Sequence, residues 1–303
     1  MTIEPLSYGG WHNCVKMSNG TVEIVATLDV GPRLIRFGFV DGPNVFKEFE
    51  DMMGRTGDDK WNIYGGHRLW HAPEEMPRTY VVDNSPVAHE DHGDFLRLRP
   101  PLESTTGLQK EYDVYLLEGA RARIVHRTIN HNVWGVEFAM WALSVMDAGG
   151  ACFFPLPERG GHPENLEPAS TLTLWKFSDL SDPRWQFMPK YIGLKQDASK
   201  SSPQKIGAWV PDGWAAYANK NQLFVKYFEA HEDELYPDMN CNFETFTNES
   251  MLEVETLGPL LVLEPNESVE HVEEWALFDN VAMPQTQDDI DQNVLPLVQS
   301  AME

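Results

Sequence analysis

The chain is 303 residues long, 42% hydrophobic and 11% aromatic, and its 47 Asp and Glu against 23 Lys and Arg give a formal charge of −24. That surplus opposes binding to phosphate backbones and anionic bilayers, so no nucleic-acid and no membrane partner is expected, and the acidity reads as a solubilising surface. Cys14, Cys152 and Cys241 form no CxxC pair and suit reduced, buried thiols, and the first residues lack a basic-then-apolar leader, so a cytoplasmic location is expected.

In chain order, residues 21–28 and 33–40 alternate polar and apolar on either side of Asp29-Val-Gly-Pro32, which predicts a β hairpin. Residues 45–61 read as a connection running into a loop over 62–74, and 88–94 as a solvated acidic turn. Residues 108–117 and 120–130 read as paired strands; the second puts Arg121, Arg123, Val125 and Arg127 on one face, exposed or in contact with anions. The apolar run 133–146 is too short to span a bilayer and reads as a long strand. A polar loop over 158–168 carries His162. Residues 171–177 read as a strand, 178–190 as a connection and 195–205 as a loop. Short strands follow over 207–210, 213–218 and 223–229.

Residues 251–256 alternate so that Glu253 and Glu255 share one strand face and Leu252 and Val254 the other. Gly258-Pro259 interrupts the ladder, 260–263 reads as a buried strand, and 269–278 as the return strand of the same hairpin. Just upstream, Asn240, Asn242, Glu244 and Phe246 alternate in the same way. Antiparallel pairing of the two segments brings Glu244 beside the later acids, and like charges at close range raise a carboxyl pKa toward acid or base work. In the tail, Thr286 and Asp289 form a capping box with Ile290, Val294 and Leu297 at helical spacing, although Pro296 should kink or end that helix. The expected architecture is an all-β sandwich over residues 1–280 as a single domain, with a short C-terminal helix in a tail over 281–303 packed on it.

His67 and His71 stand four apart with Glu74 three further on, a spacing that presents two imidazoles to one metal on a helix. Gly65-Gly66 before them and Pro73 after leave barely two turns, so a hydrogen-bonding cluster for a polar ligand is expected there, with no metal and no cofactor. No GxSxG elbow, Walker loop or GxGxxG turn is present, which removes support for serine hydrolase, nucleotide hydrolase and dinucleotide oxidoreductase readings. The aromatic content suits stacking on sugar faces, with Trp70 among the candidates.

Gly65-Gly-His-Arg-Leu-Trp-His-Ala-Pro-Glu74, Leu252-Glu-Val-Glu-Thr-Leu-Gly-Pro259 and Pro265-Asn-Glu-Ser268, in a chain of many strands, resemble the galactose mutarotase-like superfamily. The closest likeness is to a bacterial branch of it carrying the same Gly-Gly-His-Arg-Leu-Trp and Leu-Glu-x-Glu-x-Leu-Gly-Pro phrases. The resemblance implies a galactose mutarotase-like β-supersandwich with the sugar site on a sheet face. It also implies aldose 1-epimerase-like chemistry, in which a late-strand glutamate takes the anomeric proton and a histidine protonates the ring oxygen. By its place before Pro259, Glu255 matches that glutamate. The strand that carries the epimerases' histidine corresponds to 136–146, where Trp141, Leu143 and Ser144 stand but no histidine. The resemblance then implies that His67, His71 or His162 supplies the acid from a loop, or that the proton chemistry is absent. Arg68, Trp70, Glu74, Glu244 and Glu253 are the expected sugar contacts. A non-catalytic sugar-binding protein and an oligosaccharide lyase or hydrolase are the alternatives, and a homo-oligomer is left open.

Overall fold

The computed structural model describes residues 1–302. Two antiparallel sheets hold nearly all of the regular structure. The first has eleven strands, its central run being Leu34–Phe39, Gly66–Ala72, Val136–Met146, Leu252–Leu257, Phe243–Thr247 and Gln204–Ala208. The second has ten, centred on Trp214–Asn219, Gln222–Phe228, Ser268–Asp279, Arg121–Asn130 and Leu108–Leu116. The main core fills the space between them. Phe37 and Phe46 from the first sheet's side meet Phe224 and Trp275 of the second edge-on or tilted, with ring centroids 5.4–6.1 Å apart. Trp275 is fully buried in that cluster, and truncating a side chain of this size to alanine costs about 3–5 kcal/mol.

The hairpin over 21–40 and the pairing of 108–117 with 120–130 form as the alternation predicts. Four sequence readings are corrected. The 62–74 loop contains the fully buried strand Gly66–Ala72, flanked by neighbours on both sides. The 195–205 loop ends in the strand Gln204–Ala208, buried throughout. Residues 251–278 are not one hairpin: Leu252–Leu257 lies in the first sheet and Ser268–Asp279 in the second; past the break at Gly258-Pro259 the chain stays beside Val136–Met146 as far as Leu263 and crosses between layers over residues 264–267. The intervening Leu261–Leu263 is an edge pairing with 136–138, and Val262 is exposed. The N-terminal residues add strands Thr2–Tyr8 and Trp11–Ser18 at the sheet's edge.

The tail begins at the expected capping box: Thr286 Oγ1 accepts from the Asp289 amide at 3.2 Å, and the Asp289 carboxylate accepts from the Thr286 amide at 3.0 Å. Pro296 does not end the helix. A π-type stretch, Ile290–Val294, precedes the α-helix Leu295–Met302, and its wider turns place Pro296 in the first turn of the new segment, where a missing N–H is tolerated. Ile290, Val294, Val298 and Ala301 pack against Ala216, Val225 and Ala276 on the second sheet's outer face. Glu303, the last residue of the predicted tail, lies outside the described residues. No helix among them is long and apolar enough to cross a membrane.

Candidate functional site

Register alone assembles one row of side chains across five strands of the first sheet. Arg68 pairs with Leu143, Leu143 with Glu255, Glu255 with Glu244, and Glu244 with Gly207. Two residues along each strand lie Trp70, Trp141 and Leu257 on one side, and Glu253, Phe246 and Lys205 on the other. Because strand side chains alternate, all of these project from the same face, away from the inter-sheet core.

Lys205 is the hub. Its Nζ forms an ion pair with Glu244 Oε2 at 2.7 Å and donates to Glu255 Oε2 at 3.1 Å. The ammonium also sits 4.7 Å from the Trp141 ring centre and 4.6 Å from that of Trp175. Glu255 Oε2 accepts a second bond from Trp141 Nε1 at 3.0 Å, while Glu255 Oε1 has no partner. Arg68 donates to Glu253 at 3.0 Å, with its guanidinium over Trp70 at 4.3 Å and Trp61 at 5.2 Å. Its Nε and Nη1 are unpartnered, as are Trp61 Nε1 and Glu244 Oε1. Buried polar atoms without partners are uncommon, and here donors and acceptors cluster on one aromatic-lined face, the pattern a polyol ligand completes.

Burial, with Glu255 and Asp238 nearby, pushes the Glu244 carboxyl well above the usual range despite Lys205. Burial also raises Glu253, Arg68 opposing, and raises Asp238. Burial disfavours the Lys205 ammonium, but the Glu244 and Glu255 carboxylates outweigh it and raise its pKa, so the charge persists. The combination is a fixed cation, Glu255 with one oxygen free, and a neighbouring Glu244 carboxyl that holds its proton more tightly than an ordinary glutamate.

The histidines are elsewhere. His67 and His71 belong to the same strand as Arg68 and Trp70 but leave it on the opposite side, so the expected meeting of these imidazoles with Glu255 does not occur. His67 Nδ1 contacts Ser144 Oγ at 2.9 Å and its Nε2 lies 2.7 Å from His126 Nε2, deep between the sheets. His126 Nδ1 donates to the His271 carbonyl at 2.9 Å, and His271 contacts Thr256 at 2.8 Å. Thr256 in turn donates to Glu273, which also holds Lys226 at 2.9 Å and Trp275 Nε1 at 2.8 Å. The His67, His126 and Glu273 ligand atoms lie within 4.8 Å of one another, yet each already has a partner within the chain. This network ties the two sheets together. Burial depresses all three imidazoles, His67 well below its ordinary value and His271 to about 3.

His162 sits exposed in an irregular loop, and none of the contacts around Glu255 involves it. Glu74 is exposed and accepts from Tyr80, whose ring packs on Trp61 and Trp70. Lys205, Trp61, Trp175 and Asp238 were not readable as site residues. Lys205 closes a stretch too polar to read as a strand, and only the alternation Lys205, Gly207 within Gln204–Ala208 hints at it.

No family model matches the chain, and no curated protein resembles it in sequence. Solved structures do share its fold. A galactose mutarotase-like protein from Lactobacillus casei superposes with a TM-score of 0.56 over 88% of this chain and 100% of its own, at 8% identity. The chain has the galactose mutarotase-like fold. A second galactose mutarotase-like protein, from Clostridium acetobutylicum, gives 0.54 over 92% and 98% at 11% identity, and a Synechocystis protein 0.56 over 91% and 96% at 12%. At these identities the likeness is one of architecture, so a role for the Glu255 face of this mutarotase-like sandwich rests on its own geometry.

Proposed function

We propose that the protein is a carbohydrate-active enzyme of the mutarotase type, working by proton transfer between Glu255, Glu244 and a free sugar. One observation carries the reading: Glu255 Oε1 and Glu244 Oε1 are buried and unpartnered on neighbouring, directly opposed positions of one sheet face. In an aldose the anomeric hydroxyl and the ring oxygen are bonded to the same carbon, so the base and the acid that open the ring must themselves be neighbours. Glu255, its second oxygen anchored by Lys205 and Trp141, takes the anomeric proton through Oε1. Glu244, kept protonated by burial and by the adjacent negative charge, gives a proton to the ring oxygen, the role for which sequence reasoning sought a histidine. Ring opening, rotation about the C1–C2 bond and closure with the protons returned invert the anomeric centre. Lys205 anchors Glu255 through its second oxygen, Arg68 and Glu253 hold hydroxyls, and Trp70, Trp141 and Trp61 offer faces to the sugar ring.

The experiment is anomer exchange followed by NMR with neutral aldoses, on wild type and on Glu255→Gln and Glu244→Gln. Wild type speeds exchange over buffer, and each substitution removes about 100-fold or more of that acceleration. Sugar binding without any acceleration makes the protein a binding module instead, and neither binding nor acceleration with any aldose sinks the reading.

A further inference from the structure

A cleft of about 660 Å³ opens beside the far end of strand Gly66–Ala72, at the mouth between the two sheets. It lies outside the Glu255 face and shares with it only the Tyr80 ring, which packs on Trp61 and Trp70. His71 is 2% exposed, lines this cleft, and has no hydrogen-bond partner at either ring nitrogen. Burial drives its pKa down to about 3, so the ring is neutral and presents one N–H and one bare nitrogen. Arg78 lines the cleft too. Its Nε is buried without a partner, and its guanidinium is held only through Nη2 by the Pro73 carbonyl. The rest of the wall is largely apolar, with Phe138, Val136 and Tyr80 joined by Trp134, which is 64% exposed. No Asp or Glu is among the lining residues, in a chain with two acids for every base.

We propose that this cleft binds a small aromatic carboxylate, the ring lying among Trp134, Phe138 and Tyr80 and the carboxylate meeting Arg78 and the His71 N–H. The volume falls in the ordinary range for small-molecule sites of roughly 300–1,000 Å³. An isolated guanidinium without a competing acid in the wall selects an anion, and a planar carboxylate matches its fork. The apolar wall selects the body: water would satisfy His71 and Arg78 but would leave an indole, a phenyl and a phenol ring wetted. A sugar fits poorly: beside the three orphaned nitrogen positions the wall adds Ser104, Thr105, Thr106 and Asn132, but the Thr106 hydroxyl and the Asn132 amide already donate within the chain and the aromatic wall leaves the other hydroxyls of a ring unmet. A divalent ion has a single imidazole and no carboxylate to hold it.

The test is titration calorimetry on the full chain with benzoate and phenylacetate, against benzamide, acetate and inorganic phosphate. The arylcarboxylates bind, benzamide binds at least about tenfold more weakly because it lacks the charge, and acetate and phosphate bind more weakly still because they lack the ring. Arg78→Gln abolishes the preference for benzoate over benzamide, and Trp134→Ala weakens both. Trp134 is exposed and Arg78 half-buried, so these variants keep the fold, as a thermal melt checks. Glu255→Gln leaves arylcarboxylate binding intact, which separates this cleft from the sugar site. No arylcarboxylate binding at millimolar concentration, or binding indifferent to both Arg78→Gln and Trp134→Ala, overturns the proposal.

Discussion

Glu244 and Glu255 face one another in antiparallel register with the Lys205 ammonium within 3.1 Å of both. Two acids so placed in the interior are tolerable only with the cation between them, and that dependence sets the first prediction. Lys205→Met leaves both carboxyls buried without a counter-charge and lowers the unfolding free energy by about 3–5 kcal/mol, read by denaturant titration. Adding Glu244→Gln and Glu255→Gln to Lys205→Met restores most of the loss. An undiminished midpoint in Lys205→Met alone would mean that the triad contributes nothing to the fold.

Acid sensitivity follows from the buried imidazoles. His67, His71, His126 and His271 all have folded-state pKa values below the ordinary 6.5, the second and fourth near 3. In the unfolded chain they take up protons near pH 6.5, whereas the folded chain resists, so their neutral burial favours folding above that pH and becomes a penalty as pH falls toward 3. Each such histidine costs about 1.4 kcal/mol per pH unit below 6.5. Glu244, Glu253, Asp238 and Asp212, with raised values, act in the opposite sense, but of these only Glu244 is pushed well above its ordinary value, whereas two of the histidines are down to about 3. Stability therefore drops between pH 6.5 and 5, and His271→Asn flattens the slope by about one proton. A wild-type melting temperature constant over that interval contradicts this.

Gly65 has φ +111°, and a β-carbon there would lie 1.9 Å from the Lys47 carbonyl oxygen. A backbone atom cannot swing aside as a flexible side chain does. Gly65→Ala is expected to destabilise by more than about 3 kcal/mol, adding strain at a positive φ to a main-chain clash just before the strand that carries Arg68 and His71. Soluble expression with an unaltered melt would exclude this.

Arg68 serves through its shape as well as its charge. Lysine in its place keeps a cation near Glu253 but loses the planar stack on Trp70 and the orphaned Nε and Nη1 donors. Arg68→Lys should raise the Kd for sugar about tenfold while leaving the melting temperature nearly unchanged; equal sugar affinity in the variant argues that Arg68 is structural only.

The three thiols should be silent. Cys14, Cys152 and Cys241 are buried and unpaired in disulfides, and burial pushes them up to about 11, 12 and 12. The thiolate is the reactive form, so a thiol reagent at neutral pH should label none in the folded chain and three after denaturation.

The acids of the Glu255 face were readable because a strand's two-residue period is visible wherever charged and apolar residues alternate, as in Glu253, Val254, Glu255. The same rule put Glu244 opposite them. It failed at Gly66–Ala72 for a physical reason: both faces of that strand are buried, one under aromatic rings and one in the inter-sheet core, so His67, Arg68, Leu69, Trp70 and His71 show no polar-apolar rhythm. The flanking glycines and Pro73 made it read as a loop. Lys205 escaped notice because its value as a hub depends on partners 39 and 50 residues away, which no local pattern encodes. The inter-sheet network was equally hidden: Glu273 and His271 alternate with Val272 and Glu274, and which pair turns inward is decided by the other sheet.

The strand Gly66–Ala72 is a partition whose odd-numbered histidines belong to one compartment and whose even-numbered Arg68 and Trp70 belong to another. A single-residue insertion within it would exchange the two populations, sending a guanidinium into the dry interior and an imidazole toward the Glu255 face. The loops on either side can change length without moving that boundary, whereas this heptapeptide tolerates change only by substitution.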